Sequence, residues 1–371
     1  MQEDNVKALI AGGGTGGHIY AGIAIAEEIK ERWKGAKILF VGAKRGLESK
    51  ILPSTGIDFE LIDSLGIKGK NFKEMVRGIK QIPVSIMDSI KILRTFKPNF
   101  AVGVGGYSSG PTIVSAWILG IPSIILEQNL YPGTTNRILG GFAKFIAVNF
   151  RDSQRYFPKR KTICVGNPVR KNLLKISREE ALKKWDLDIN LFTLFVFGGS
   201  QGAKCFNDLM PAVCSLLEKA GKKIQIIHQT GESDFERVKK LYEERKLSNV
   251  VIKSFITDMG DAYSAADIVI SRAGATTLSE LCSCAKASLL IPFPYATNNH
   301  QEYNALYMQK EGASIMVRER EATPERISQH IAELMEDRGR IRKMEENAKK
   351  LDRPNAAREI VELCRSLIGQ R

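Results

Sequence analysis

No apolar run in the 371-residue chain approaches the ~18 residues that would suggest a membrane span. The acidic start, Met1-Gln2-Glu3-Asp4-Asn5, leads into only a short apolar-rich stretch, residues 6–11, so it does not read as a secretory signal. The protein is expected to stay in the cytosol. The six cysteines (Cys164, Cys205, Cys214, Cys282, Cys284 and Cys364) include no Cys-x-x-Cys and have no histidine at zinc-ligand spacing, which excludes the common zinc modules and reads as reduced thiols. The four histidines, His18, His228, His300 and His330, are too scattered for a metal cluster. Asp186-Leu187-Asp188 has the D-x-D form by which some sugar-nucleotide enzymes hold a metal, but it lies away from every glycine loop. No metal and no cofactor is expected. There is also no Ser/Pro-rich or repetitive tract, so nothing suggests disorder.

What is present is ordinary globular composition, 43% hydrophobic and 26% charged, at a length that suggests two domains. The net charge of +14 is uneven. Residues 1–165 hold 23 Lys and Arg against 13 Asp and Glu, a net +10, leaving +4 for the rest. A basic surface of this kind suits nucleic acid, an anionic membrane or anionic substrates, so its location matters more than its size.

One layout recurs along the chain, an apolar strand running into a small-residue loop that opens a helix. Residues 6–11 end in Gly12-Gly13-Gly14-Thr15-Gly16-Gly17-His18, and Ile19, Ile23, Ile25, Ala26 and Ile29 follow near helical spacing. Glycines there let the backbone approach a ligand, and the helix N-terminus favours an anion. Residues 100–103 run into Gly105-Gly106-Tyr107-Ser108-Ser109-Gly110-Pro111, and residues 123–126 into Glu127-Gln128-Asn129. After Asn167-Pro168-Val169-Arg170, a break that reads as the domain linker, residues 191–197 lead to Gly198-Gly199-Ser200-Gln201-Gly202-Ala203. Residues 268–271 lead to Arg272-Ala273-Gly274-Ala275-Thr276-Thr277-Leu278-Ser279-Glu280. Further strands are expected at 37–41, 59–62, 145–148, 162–165, 224–229, 250–254 and 288–291, with closing helices over 339–350 and 355–368.

Gly12, Gly14 and Gly17 satisfy G-x-G-x-x-G, which raises a dinucleotide reading. No acid ends the second strand to hold an NAD ribose, which counts against NAD, while Lys44 and Arg45 leave an NADP enzyme open. Residues 65–97 carry eight Lys and Arg against two acids, with Phe72, Met75, Val76 and Ile79 on one side of a helical pattern that Pro83 interrupts. Such a segment either packs on the sheet with a solvated basic face or lies on an anionic bilayer. Glu280, early in a helix, either accepts ribose hydroxyls or complements the helix dipole. Glu127-Gln128-Asn129 stand where an open parallel sheet binds ligands, or cap the next helix. His18 alone among the histidines sits in a loop that can carry chemistry.

Taken together in their order and spacing, these motifs, with Asn299-His300-Gln301-Glu302, resemble the GT-B glycosyltransferases that transfer N-acetylglucosamine (GlcNAc) to a lipid-linked acceptor. The resemblance spans nearly the whole chain, and Ser108 stands where the family commonly has Val. It implies an α/β fold of two Rossmann-like parallel-sheet domains facing across a cleft. It assigns residues 1–165 to an acceptor and membrane-associating domain and residues 166–351 to a UDP-GlcNAc donor domain, with the final helix, about 352–371, packed back on the first. The implied reaction is an inverting, metal-independent transfer of GlcNAc from UDP-GlcNAc to the MurNAc 4-hydroxyl of lipid I, giving lipid II and UDP for peptidoglycan. Donor contacts are implied for Thr15, Gly16, Gly17, Asn129, Arg170, Ser200, Gln201, Ile256, Arg272, Ala275, Thr276, Thr277, Leu278, Ser279, Glu280 and Gln301. Acceptor contacts are implied for Gly105, Gly106, Tyr107 and Ser109. For the base that takes the acceptor proton, His18 is the first candidate and Glu127 the second. The stretch 72–87, bounded by Phe72 and Met87, is expected to rest on the cytoplasmic face of an anionic membrane as a peripheral contact, and no nucleic-acid partner is expected. An NADP oxidoreductase, a nucleotide-sugar binding module and a sugar-nucleotide epimerase remain the alternatives.

Overall fold

The computed structural model describes residues 5–44, 46–64, 72–171, 173 and 176–368, the side chains of 72–77 and 79 excepted. Arg45 and the side chains of Phe72, Met75, Val76 and Ile79, all invoked above, lie outside that description. The chain divides into two compact units, residues 1–170 with 353–371, and residues 171–352.

In the first unit β1 (Lys7–Gly12), β2 (Lys37–Ala43), β3 (Asp58–Ile62), β4 (Phe100–Gly105), β5 (Ser123–Glu127), β6 (Phe145–Val148) and β7 (Thr162–Cys164) form one parallel sheet in the order β3-β2-β1-β4-β5-β6-β7. Most of these strands are continuous apolar runs because both faces of the sheet are covered. Alternation along β1 sends Ala8 and Ile10 into a core with Ile19, Ile25 and Ile29 of α1 (Gly16–Arg32) and with Ile360, Val361 and Leu367 of α14 (Ala356–Ile368). Leu9 and Ala11 point the other way, into a core with Ile113 and Ala116 of α4 (Ser109–Ile118) and Leu93 of α3 (Phe72–Phe96). The last helix of the chain therefore belongs to the first core.

Pro83 does not interrupt the basic helix, since α3 runs through it. A proline inside a helix costs about 3 kcal/mol, so neighbouring contacts must offset it. Ser85 Oγ lies 2.8 Å from the Asp63 carbonyl and 3.0 Å from that of Gln81, and Ser89 Oγ donates to the Ser85 carbonyl. Across to α4, Ser89 Oγ meets Thr112 Oγ1 at 3.3 Å and Ser115 Oγ donates to the Ile86 carbonyl at 3.1 Å. Tertiary docking thus overrides the local breaker.

The second unit repeats the plan. β8 (Phe192–Phe197), β9 (Ile224–Gln229), β10 (Val250–Lys253), β11 (Ile268–Ser271), β12 (Ser288–Leu290) and β13 (Ser314–Met316) form a parallel sheet ordered β10-β9-β8-β11-β12-β13. β13 was not anticipated, because three residues carry too little pattern. Phe192, Leu194 and Val196 face a core with Phe206 of α7 (Lys204–Lys219), Ile327 of α12 (Pro324–Glu336) and Ile341 of α13 (Arg338–Lys350). On the opposite face Phe195 and Phe197 stack at 4.8 Å, and both meet Tyr263 of α9 (Met259–Ala265) edge-on.

Both sheets share one consequence. Strand order reverses between β1 and β4 in the first and between β8 and β11 in the second, and open parallel sheets bind ligands beyond the carboxyl ends of such strands. Four of the small-residue loops leave at those points.

Candidate functional site

In the first unit the loops after β1 and β4 lock together. The Gly13 N–H donates to the Gly105 carbonyl at 3.1 Å, and Gly13, Gly14, Gly105 and Gly106 all have φ between +83° and +147°. A side chain at Gly106 would collide with the Gly13 backbone, and one at Gly105 would stand 2.7 Å from His18 Nε2. The glycines therefore serve close approach of the two loops, and the His18 ring lies against the second. His18 Nδ1 pairs with Thr15 Oγ1 at 3.0 Å. In the tautomer whose Nδ1–H donates to Thr15, the lone pair sits on Nε2. Thr15 precedes α1, and Gly16 and Gly17 are that helix's first residues. Tyr107 is exposed and lies over Gly14, whereas Ser109 is buried with its hydroxyl facing Gly103.

Glu127, at the end of β5, is buried. Its Oε1 accepts the Asn129 N–H at 2.9 Å and the Asn129 side-chain amide at 3.3 Å, and its Oε2 accepts the Gly133 N–H at 3.0 Å and Asn136 Nδ2 at 2.9 Å. Burial raises its carboxyl above the usual range while these donors pull it back. The carboxylate organises its own loop, and Asn129 is held within that network. Arg170 stacks over the Tyr20 ring of α1 at 4.2 Å.

In the second unit the loop from Gly198 to Ala203 opens α7. Gln229, the last residue of β9, is buried and bridges two segments: Nε2 donates to the Gly199 carbonyl at 2.8 Å, and Oε1 accepts the Ile256 N–H at 2.7 Å. Ser200 is half-buried on this loop and Gln201 exposed. After β11, Gly274 precedes α10 (Ala275–Ser283), so Ala275, Thr276 and Thr277 form the first turn of that helix. Leu278 is different, since its side chain is buried in the core and its N–H bonds the Gly274 carbonyl. Ser279 Oγ donates back to the Ala275 carbonyl. Glu280 is buried, and the hydroxyl of Tyr263 donates to its Oε2 at 3.0 Å.

Arg272 is occupied by structure. Its guanidinium donates to the carbonyls of Ile291 and Pro292, pairs with Glu319 at 2.5 Å, and lies over the rings of Phe206 and Phe293. Gln301 Oε1 accepts the N–H groups of Ala273 and Phe293, which ties α11 (His300–Lys310) to the β11 loop. The Asp188 carboxylate closes a local turn on Asn190. Among the described residues no group of three or more His, Cys, Asp or Glu side chains converges as a metal site.

Gln229, Tyr263 and Tyr20 were not among the site residues expected from the sequence. Gln229 had a visible signal, a polar residue at the carboxyl end of a parallel strand, as Glu127 has in the first unit.

Each sheet thus presents glycine-lined helix N-termini at its switch point. The model of the glycosyltransferase family 28 N-terminal domain matches residues 8–148, and that of the family 28 C-terminal domain matches residues 193–360. The chain belongs to glycosyltransferase family 28. A Myxococcus xanthus relative, UDP-N-acetylglucosamine--N-acetylmuramyl-(pentapeptide) pyrophosphoryl-undecaprenol N-acetylglucosamine transferase, is 41% identical over 365 residues, 98% of this chain and 94% of that one. The Geobacter sulfurreducens protein of the same name is 42% identical over 358 residues, covering 96% and 97%. Among solved structures, Acinetobacter baumannii MurG superposes with a TM-score of 0.76 at 28% identity, over 97% of this chain and 99% of that one. A UDP-GlcNAc 2-epimerase from Neisseria meningitidis shares the fold alone, at 16% identity and a TM-score of 0.69 over 97% and 100%. This family 28 chain is a glycosyltransferase of the two-sheet GT-B class.

Proposed function

We propose that this family 28 enzyme transfers GlcNAc from UDP-GlcNAc to the MurNAc 4-hydroxyl of lipid I, forming lipid II and UDP with inversion. The observation that carries this reading is 41–42% identity over nearly the full length of relatives that bear that transferase's name. The epimerase alternative rests on fold likeness without comparable identity.

The second unit supplies the donor site. Ile256 lies against the uracil through its backbone, the Glu280 carboxylate accepts the ribose hydroxyls, and Ser200 with the N–H groups opening α7 meets the diphosphate. Arg170 adds charge as UDP departs. Fixed donors of this kind stabilise a leaving diphosphate without reorganising during the reaction. Ala275, Asn129 and Gln301 meet the sugar, while Arg272 and Leu278 hold the scaffold behind them. In the first unit Gly105, Gly106 and Tyr107 face the acceptor. His18 Nε2 takes the proton as the 4-hydroxyl oxygen bonds to the anomeric carbon and the bond from that carbon to the UDP oxygen breaks. Glu127, with four donors on its oxygens, serves as loop organiser.

The acceptor is reached from a membrane surface. Ile82, Val84 and Met87 of α3, Trp117 and Ile118 of α4 and Ile138 of α5 (Thr134–Leu139) are exposed apolar side chains in this basic unit. No helix among the described residues is long and apolar enough to cross a membrane. The contact in this reading is a peripheral one on the cytoplasmic face, made by apolar side chains flanked by basic ones.

The test is incubation with UDP-GlcNAc and a short-chain lipid I analogue in the presence of EDTA. Formation of the β-linked disaccharide is the expected result. Conversion of UDP-GlcNAc to its epimer without acceptor would instead favour the epimerase alternative.

A further inference from the structure

Glu48 opens α2 (Glu48–Ile51), just past β2, and is fully buried. Its Oε1 accepts two backbone N–H groups, that of Gly14 in the first loop and that of Ala43 at the end of β2, each at 2.9 Å. Three glycines make room for it. A side chain at Gly13 would collide with Oε1 and one at Gly46 with Oε2, while one at Gly42 would stand 2.7 Å from Cγ. Oε2 is buried without a hydrogen-bond partner among the described residues.

A buried carboxylate is a costly way to satisfy two amides, so its placement calls for a reason beyond packing. Gly14 is the point at which the first loop turns, with φ +83°, one residue before Thr15 and four before His18. Gly13 is fixed on one side by the Gly105 carbonyl and Gly14 on the other by Glu48. Those two bonds define the loop's path, and the Thr15 hydroxyl on His18 Nδ1 follows from it.

From this geometry we infer that Glu48 is a positioning residue for the transfer, acting through Gly14 to set the Thr15–His18 pair. This rests on the reading of His18 as the base. A side-chain oxygen at Oε1 is what the loop requires, and an amide oxygen can accept the same two N–H groups.

The experiment compares Glu48→Ala, Glu48→Gln, Gly46→Ala and His18→Ala. It measures kcat, the UDP-GlcNAc KM, and amide hydrogen exchange of residues 13–17. Glu48→Ala is expected to lower kcat about tenfold or more with the donor KM within about twofold, since the nucleotide is held by the second unit, and Glu48→Gln to stay within about threefold of wild type. Gly46→Ala, which crowds the carboxylate without touching the first loop, should lower kcat in the same direction, and it serves if Glu48→Ala does not fold. Loop exchange should speed up in Glu48→Ala while exchange in β1 does not. If His18→Ala loses turnover and Glu48→Ala and Gly46→Ala do not, the inference fails and the reading of His18 stands. If His18→Ala keeps full turnover, that reading fails, and unchanged loop exchange in Glu48→Ala would overturn the positioning role as well.

Discussion

Gln229 and Ile256 are joined by a buried hydrogen bond in which the Gln229 amide oxygen accepts the Ile256 N–H at 2.7 Å, and the same side chain donates to the Gly199 carbonyl at 2.8 Å. One amide therefore ties the segment proposed to face uracil to the loop proposed to face the diphosphate. Gln229→Leu leaves the buried Ile256 N–H unpaired, at roughly 1–3 kcal/mol, and takes one of two donors from the part-buried Gly199 carbonyl, which keeps the Gly202 N–H. Isothermal titration should show UDP binding weakened by about tenfold or more, since about 1.4 kcal/mol is tenfold. Gln229→Glu still accepts from Ile256 but cannot donate to Gly199, so it should weaken UDP more than uridine. Equal losses for both ligands would mean that Gln229 does not support the diphosphate loop.

Tyr263 is held edge-on by Phe195 and Phe197 and aims its hydroxyl at Glu280. If Glu280 holds the ribose, Glu280→Ala should bind UDP and 2′-deoxy-UDP nearly alike, where the wild type prefers UDP. Tyr263→Phe keeps the packing and removes one hydrogen bond, worth about 1 kcal/mol, so it should fall between the two. Competition titration with both nucleotides decides this, and an unchanged preference in Glu280→Ala would remove Glu280 from the ribose.

His228 is buried in the second unit with Nδ1 on the Tyr242 hydroxyl at 2.9 Å, and burial holds its imidazole down to about 3. An unfolded histidine titrates near ~6.5, so below that pH the unfolded chain binds a proton that the native chain does not. Stability is therefore present above about 6.5 and declines as pH falls towards about 3. Between pH 7 and pH 5 the loss from this group is about 2 kcal/mol. Urea unfolding at both pH values should show that His228→Gln, less stable at pH 7, loses about 2 kcal/mol less on acidification than the wild type. Equal losses would mean that another group carries the acid sensitivity. Glu127 in the first unit acts in the opposite sense, because its raised carboxyl makes the native state take up the proton first, so that its contribution falls as pH rises past the usual carboxylate range.

The parts of this molecule that were legible in the sequence are those with a local cause. Strands buried on both faces read as apolar runs, and loops at sheet switch points read as glycine clusters because backbone approaches backbone there. Roles set by distant partners were not legible. Arg272 reads as a donor contact until the carbonyls of Ile291 and Pro292, 19 and 20 residues on, converge upon it. Leu278 sits in the right loop yet turns into the core. Nothing local marks Glu48, and only the folded chain brings Gly14, 34 residues earlier, to its oxygen. Pro83 reads as a stop because the α3–α4 contacts that tolerate it are not local.

The exposed apolar side chains of the first unit make the membrane reading testable at individual positions. Ser115 Oγ donates to the Ile86 carbonyl, which puts Met87 of α3 and Trp117 and Ile118 of α4 on adjoining turns, and Met87 is 71% and Trp117 56% exposed. Exposed cations accompany them, including Lys80, Lys91 and Arg94 on α3 and Arg137 on α5. Each Lys or Arg near an anionic surface adds roughly 1 kcal/mol, and apolar burial adds about 25 cal/mol per Å², so both kinds of residue should contribute. Met87→Glu with Trp117→Glu removes apolar area and adds like charge to the lipid, and should weaken binding to anionic vesicles at low salt by about tenfold or more. Turnover of a soluble, short-chain acceptor should stay near wild type, because neither side chain belongs to the proposed site. Binding to vesicles that is unchanged by both substitutions would place the membrane contact elsewhere. A parallel loss on the soluble acceptor would mean that the substitutions act through the fold and not through the lipid surface.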